Sequence, residues 1–332
     1  MQFRSATQKD TSAIVYLLKR SLGESTIPKS ELLWDWKHNQ NPFGPSYILL
    51  AEENEQLVGL RAFMQWEWQW KGQIYKAIRA VDTATHPDHQ GKGIFKKLTL
   101  HQIDICKQEG IGFVFNTPND QSKPGYLKMG WVDQGRLPLK FKLLRPLSLV
   151  FSRIFKEKKN LKNEEDLSLV QTWRPDISNL IKEDISKSDH LSSYLSPRYI
   201  SWRYEKNPLF TYNYFTDHTN FLMISRIKKH SFARELRLVE FVLLNRESDL
   251  KKLNTEIKKQ VLEFCKKNKI DIISVSGLQY ALYKACFRWM GIIPIKDMGP
   301  SITLRDLNMN EQFPHLLKID NWNYSLGDLE LF

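Results

Sequence analysis

The sequence predicts a mixed α/β chain of two domains, each a mostly antiparallel, twisted sheet flanked by helices, and three observations carry that expectation. At 332 residues the chain is about twice the length of a usual domain. Its apolar spacing alternates between the helical period near 3.6 and the strand period of 2. Short patterns also recur in the same order. Trp36-Lys37-His38 followed by Asn41-Pro42 returns as Trp202-Arg203-Tyr204 followed by Asn207-Pro208, the run around Cys106 returns around Cys265, and Met129-Gly130 returns as Met290-Gly291. Domains are therefore expected at 1–135 and 171–332, the second an altered copy of the first, with a linker at 136–170.

In the first half, Phe3 to Ala6 reads as a short strand. Asp10 or Thr11 caps a helix with apolar positions Ile14, Leu17, Leu18 and Leu22, and a second helix is expected from Ser30 to Lys37. Leu57 to Met64 alternates loosely, whereas Trp66, Trp68 and Trp70 alternate strictly with Glu67 and Gln69. Lys71-Gly72 makes a turn, and Ile74 to Thr85 returns antiparallel. A glycine-containing loop, a helix from about Gly93 to Gln108, a buried strand from Ile111 to Asn116 and a short helix ending near Gly130 follow.

Composition narrows the function classes. With 42% hydrophobic and 12% aromatic residues the chain buries substantial cores, which sets aside disordered, collagen-like and acidic solvating proteins. The net charge is +12, yet nine basic residues and the single acid Glu157 fall between Arg136 and Lys162. Leu143, Leu144, Leu147, Val150, Phe151, Ile154 and Phe155 stand there at near-helical spacing, so the segment reads as a basic amphipathic connection; peripheral contact of 136–162 with an anionic membrane is the alternative. Charge gathered in one linker without a binding motif argues against a nucleic-acid partner. Cys106, Cys265 and Cys286 form no CxxC pair and are odd in number, against a disulfide framework or a zinc site, and His86 and His89 flank a proline without further ligands, so no metal is expected. With no apolar run near roughly 20 residues and no leader-like opening, the cytoplasm is the expected location.

The chemically informative segment runs from Asp82 to Phe95. A strand stops at Pro87, a loop carrying Gly91, Lys92 and Gly93 follows, and a helix begins, so main-chain amides converge on a positive helix end that suits phosphate. Neither GxGxxG nor GxxxxGK[ST] occurs, which sets nucleotide redox and ATP chemistry aside.

Four segments in order, Phe3-Arg4 with Ala6-Thr7 and Asp10, the strand reaching His86-Pro87, the loop Gln90 to Phe95, and Asn119 with Tyr126 to Trp131, resemble the signature regions of the GNAT superfamily of acyl-CoA-dependent N-acyltransferases. The resemblance spans residues 1–135 and departs at Phe95, where the family carries glycine or alanine. It implies transfer of an acyl group, acetyl by default, from acyl-CoA to a primary amine by direct attack. It also implies that Thr83, Ala84 and Thr85 pair through their backbone with the pantetheine arm, that Gln90, Gly91, Lys92, Gly93, Ile94 and Phe95 hold the pyrophosphate, and that Asn119 and Ser122 touch the pantetheine or its phosphates. Tyr126 matches the tyrosine that protonates the departing thiolate; its structural alternative is an aromatic packing a helix end against Trp131. Asp82 stands where the family often carries an acid and is the candidate base, with His86 a rival at the loop edge.

The second half is expected to lack this equipment. Leu244 to Lys252 contains no glycine and carries Glu247 and Asp249, and Phe287 precedes Gly291 as Tyr126 precedes Gly130, with Tyr280 and Tyr283 as nearby alternatives. One acyl-CoA site in the first copy and a second copy shaping the acceptor cleft is the resulting expectation. The acceptor reads as a small-molecule amine. Trp34, Trp36, Trp66, Trp68, Trp70, Trp202 and Tyr204 either stack on sugar rings or fill the core, and the ending Asn321-Trp322 to Gly327-Asp328 resembles bacterial acyltransferases of surface-polysaccharide or amino-sugar metabolism. Peptide or aminoacyl amines are the alternative acceptors, and a non-catalytic acyl-CoA-binding or scaffolding module is the alternative function.

Overall fold

The structure, a computed structural model, describes residues 1–23, 27–146, 173–231, 233–277, 279, 283–291, 293–295 and 298–329. It divides into two compact units, Met1–Gly135 with Ile185–Tyr194 and Ser301–Asn321, and Arg136–Asp184 with Leu195–Pro300 and Trp322–Phe332.

In the first unit, β1 (Gln2–Ser5), α1 (Thr11–Leu22), α2 (Glu31–His38), β2 (Tyr47–Glu53), β3 (Gln56–Trp70), β4 (Gln73–Thr85), α3 (Ile94–Gln108), β5 (Phe113–Asn116), α4 (Lys123–Lys128) and β6 (Val132–Arg136) follow in sequence. Local chemistry starts the helices where the sequence does. Asp10 accepts from the Thr7 amide at 2.7 Å while Arg4 bridges Asp10 and Glu52, and the Ser30 hydroxyl accepts from the Leu33 amide at the start of α2. Lys71 and Gly72 both take positive φ, the geometry of a tight hairpin turn, so β3 and β4 pair from Trp70↔Gln73 onward. The two expected segments 57–64 and 66–70 are one strand of 15 residues. Trp66 and Trp68 are buried against Phe115, and the Trp66 indole donates to the Ser193 hydroxyl, so these rings are core and not a sugar platform.

The sheet order is β1-β2-β3-β4-β5-β14-β6, where β14 is Ser301–Asp306, with the short β8 (Ser192–Ser193) also on β3. In the second unit the order is β13-β7-β12-β11-β10-β9, from β7 (Leu139–Leu143), β9 (Asn213–Thr216), β10 (Phe221–Lys229), β11 (Arg234–Leu243), β12 (Ile272–Ser276) and β13 (Ile293–Ile295). Helical turns α5 (Pro175–Ser178) and α6 (Pro197–Ile200) precede the long α7 (Leu250–Lys267), and α8 (Phe313–Leu316) belongs to the first unit. Among the strand pairings described, each sheet has one parallel pair, β4 with β5 and β11 with β12, and the others are antiparallel.

The units are therefore not the contiguous spans expected. β14 lies between β5 and β6, while β7, which follows β6 in the chain, lies between β12 and β13. Residues 139–143, expected within a helical linker, form a strand because Leu139, Phe141 and Leu143 alternate with Lys140 and Lys142 and pair with both β12 and β13. The remainder of the basic segment, 147–162, lies outside the described residues. Among the described residues no helix is long and apolar enough to cross a membrane.

Candidate active site

Parallel pairing of β4 with β5 covers only Ala77↔Phe113, Ile78↔Val114 and Arg79↔Phe115. β4 then runs on to Thr85, paired with β3 alone through Arg61↔Thr83, Leu60↔Ala84 and Gly59↔Thr85, so its other edge is open where Thr83, Ala84 and Thr85 stand. A bulge at the start of this stretch sets Val81 and Asp82 opposite Ala62. The Thr83 hydroxyl donates to the Leu60 carbonyl, which ties its side chain to β3.

The strand leads into an exposed loop. Gln90, Gly91, Lys92 and Gly93 are exposed, and both glycines take positive φ, +78° and +73°, with open space where a Cβ would stand. Gly93 is the N-cap of α3 and offers no side chain to it, so the first-turn amides have neither an intrahelical acceptor nor a capping oxygen. Ile94 is buried and packs on Gly59, anchoring the helix start to β3. Lys92 lies beside Glu53, with Nζ 3.5 Å from its carboxylate.

Phe95, the departure from the family pattern, does not turn into the loop. Its ring meets the edge of Tyr126 with centroids 5.6 Å apart and fills the space over Gly125. Tyr126 is buried between Phe95 and Trp131, and its oxygen accepts from Arg61 Nη1 at 2.8 Å. It shares a core cluster with Ala80 and Val114, one residue from each of the diverging strands. Asn119 and Ser122 build the entry to α4: the Asn119 side chain accepts from the Ser122 amide at 2.8 Å, and its carbonyl accepts from the Lys123 amide.

Asp82 is held from α2. Its carboxylate lies 2.7 Å from Lys37 Nζ and 2.9 Å from His38 Nε2, and His38 Nδ1 reaches the Ser46 hydroxyl at 2.9 Å. Burial works to raise the Asp82 carboxyl, but Lys37 and His38 outweigh it and hold it far below the usual carboxylate range. Burial lowers His38 despite the pull of Asp82, so the imidazole is neutral at physiological pH. An acid fixed in its ionised form is a weak proton acceptor, which counts against the base role expected for Asp82. His86 is buried, with Nδ1 accepting from the Asp88 amide, and serves the turn.

Arg61, Lys37 and His38 were not among the candidates. Lys37 and His38 belong to the repeated Trp-basic pattern, and Arg61 is a charge inside an otherwise apolar strand; both signals are present in the sequence.

In the second unit two parallel strands also diverge, and side chains fill the space between them. β11 leaves β12 after Leu238↔Val275 and is bulged at Val239, beside Glu240. There the Phe241 amide donates to the Gln279 side chain at 2.9 Å, and only about 20 Å³ of space remains among Glu240, Phe241, Ser276, Gln279 and Phe287. The N-terminal amides of α7 are already taken, Asp249 accepting from Lys251 and Lys252. Tyr283 packs on Phe241, and Tyr280 lies outside the described residues.

Residues 2–132 match the family model of the acetyltransferase (GNAT) domain. The fold is similar to a GCN5-related N-acetyltransferase from Anabaena variabilis, with a TM-score of 0.62 and 13% identity over 92% of this chain and 73% of that one. It is similar as well to a probable N-acyltransferase from Enterococcus faecalis, with a TM-score of 0.61 and 10% identity over 94% and 74%. Saccharomyces cerevisiae N-myristoyltransferase, solved with bound myristoyl-CoA, gives 0.52 and 10% over 92% and 78%. No curated protein sequence matches the chain.

Proposed function

We propose, from the premise that residues 2–132 belong to the GNAT family of acetyltransferases, that the first unit moves an acyl group, acetyl by default, from acyl-CoA to a primary amine. The observation that carries this reading is the open edge of β4 from Thr83 to Thr85, running into unoccupied amides at the start of α3. A pantetheine arm carries amides that can pair with a strand edge, and a diphosphate suits a glycine-lined helix N-terminus. Gln90 to Phe95 would hold the diphosphate chiefly through main-chain N–H groups.

The neutral amine attacks the acyl carbon, and Tyr126 gives its proton to the departing sulfur. Asp82 serves as the fixed anion that ties the end of α2 to the β4 bulge, and the surplus amine proton leaves through water. Asn119 and Ser122 act by shaping the entry to α4. The second unit is read as an altered copy without a donor site, since Gln279, Phe287 and Asp249 occupy what the first unit leaves open.

An amino sugar or a surface-polysaccharide precursor leads the acceptor classes on the resemblance of residues 321–328, with peptide and aminoacyl amines behind it. The purified protein is given acetyl-CoA with amino sugars, polyamines, aminoglycosides and peptides, and free thiol is followed. Release of thiol with one of these amines is expected. Uptake of the coenzyme without turnover on any amine would favour the scaffolding role, and no uptake overturns the reading.

A further inference from the structure

β3 enters the core as Leu57-Val58-Gly59-Leu60, and an arginine follows where the surroundings are apolar. Arg61 is fully buried. A guanidinium withdrawn from water is costly without a counter-charge. Arg61 makes no ion pair among the described residues, and its Nε and Nη2 have no hydrogen-bond partner; only Nη1 is engaged, donating to the Tyr126 oxygen at 2.8 Å. The rings of Phe63, Tyr126 and Phe95 surround it at 4.3, 5.5 and 5.9 Å, which recovers part of the cost. The titratable groups facing it are Tyr126 from α4 and Cys106 from α3, whose thiol burial pushes up to about 12 and so keeps neutral at physiological pH.

We propose that Arg61 is a positioning residue for the leaving group, a buried positive charge set behind Tyr126 to meet the negative charge that thioester cleavage releases. The inference rests on the acyl-CoA reading above. Because the phenol oxygen accepts from Arg61, its own hydrogen points away from the guanidinium, as a proton donor requires. When the amine nitrogen bonds to the acyl carbon and the C–S bond breaks, the electron pair goes to sulfur. The phenol proton follows it, and the negative charge passes to an oxygen already in contact with the guanidinium. The proton surplus on the product nitrogen returns to that oxygen through water. Acyl-CoA and amine become amide and CoA thiol, and Tyr126 is restored. A planar fork gives one N–H to the phenol while its charge stays spread over the remaining donors, which a lysine cannot do.

The test compares CoA with desulfo-CoA, which lacks the thiol, in the wild type, Arg61→Gln and Arg61→Lys, measuring Kd from pH 6 to 9 together with kcat and KM. The wild type is expected to prefer CoA increasingly as pH rises, by about tenfold at pH 9, because the ionised thiol meets the Tyr126 hydroxyl that the guanidinium polarises from behind. Arg61→Gln should lose that preference while holding desulfo-CoA as before, with kcat down roughly 100-fold and KM little changed; Arg61→Lys should restore part of both. A thiol preference retained in Arg61→Gln, or equal weakening of both analogues with the loss falling in KM, overturns the proposal. Should Arg61→Gln not fold, Arg61→Lys carries the test, and a full wild-type preference in it counts against the proposal. A wild type that binds neither analogue overturns the acyl-CoA reading itself.

Discussion

The strands beside the two splays each carry a carboxyl group at a bulge, and the two units set it to different ionisation states. Asp82 meets Lys37 and His38 and stays ionised. Glu240 meets the Tyr204 hydroxyl, the Ser325 hydroxyl and the Gln279 amide, and burial with Asp328 nearby pushes it up to about 8, so it is largely protonated at neutral pH. The Trp-basic-x pattern explains the pairing: His38 and Tyr204, each two residues after the tryptophan, reach the bulge carboxylate. The basic residues diverge, for Lys37 joins Asp82 whereas Arg203 Nε turns to the Gly327 carbonyl at 3.0 Å. One fold position is thus an ion pair or a neutral hydrogen-bonded acid according to what the preceding helical turn presents.

The largest effect should come from exchanging the aromatic residues of the two clefts. Tyr126→Phe is expected to lower turnover by ~100-fold or more while leaving CoA affinity nearly intact, the usual cost of losing a general acid. Phe287→Tyr, placed in the filled cleft, should change neither. Thiol release and CoA titration check both, and equal turnover in Tyr126→Phe and wild type would remove the distinction between the clefts.

Glycine is the next contrast. Gly93 has room for a side chain but holds φ at +73°, a conformation a β-branched residue strains to adopt, so the cost is conformational. Gly93→Val is expected to weaken CoA by roughly tenfold, from about 1–2 kcal/mol of backbone strain. Asp249→Ala in the second unit should free the α7 amides yet create no CoA affinity, because the adjoining splay stays plugged by Gln279. Measurable CoA binding at that end of a protein carrying both Asp249→Ala and Gly93→Val would erase the difference between the units.

How much of this was legible follows from how local each feature is. The glycine loop, the β3–β4 turn and the short helix bearing Tyr126 depend on neighbours in sequence, and their positions were readable from turn residues and alternation. Reciprocal placement of β7 and β14 was not, since Leu139 to Leu143 and Ser301 to Asp306 find their partners more than a hundred residues away. The Asp82 environment was hidden for the same reason: α2 supplies Lys37 and His38, and nothing in Asp82-Thr83-Ala84 announces them. Phe95 stood out in the sequence only as a departure from the family pattern, and only packing reveals that its ring belongs with Tyr126.

Opposite displacement of the two bulge carboxyls should give opposite pH dependence of stability. The folded-state value of Glu240 lies above its unfolded value, so the folded chain holds a proton the unfolded chain releases, and stability falls as pH rises from about 4.5 to about 8. Glu240→Gln should remove that fall, leaving its Tm a few degrees higher relative to wild type at pH 8 than at pH 5. Asp82 is displaced the other way: its contribution is present above the unfolded value near 3.8 and is lost as pH drops through the folded one, so Asp82→Asn should be destabilised at pH 7 and converge on wild type in acid. Parallel pH profiles for the two variants would contradict the assigned charges.

The smallest effect is expected from Lys92. Its side chain is half exposed and rests 3.5 Å from Glu53 and 3.2 Å from His89 Nδ1, so it must leave these partners to reach a diphosphate. Exposed ion pairs contribute about 0–1 kcal/mol and are screened by salt. Lys92→Ala should therefore weaken CoA only ~2- to 5-fold in dilute buffer, with the difference vanishing near 0.5 M salt. Glu53→Gln, which releases the lysine, should tighten CoA slightly under the same conditions. The second unit provides the reason to expect so little, because Lys251 and Lys252 stand at the start of α7 without making an anion site: Asp249 holds their amides, and no glycine opens the turn. A large, salt-insensitive loss in Lys92→Ala would shift the grip on the diphosphate from main chain to side chain, and the two helix starts would then differ by more than the glycines and the capping aspartate that now separate them.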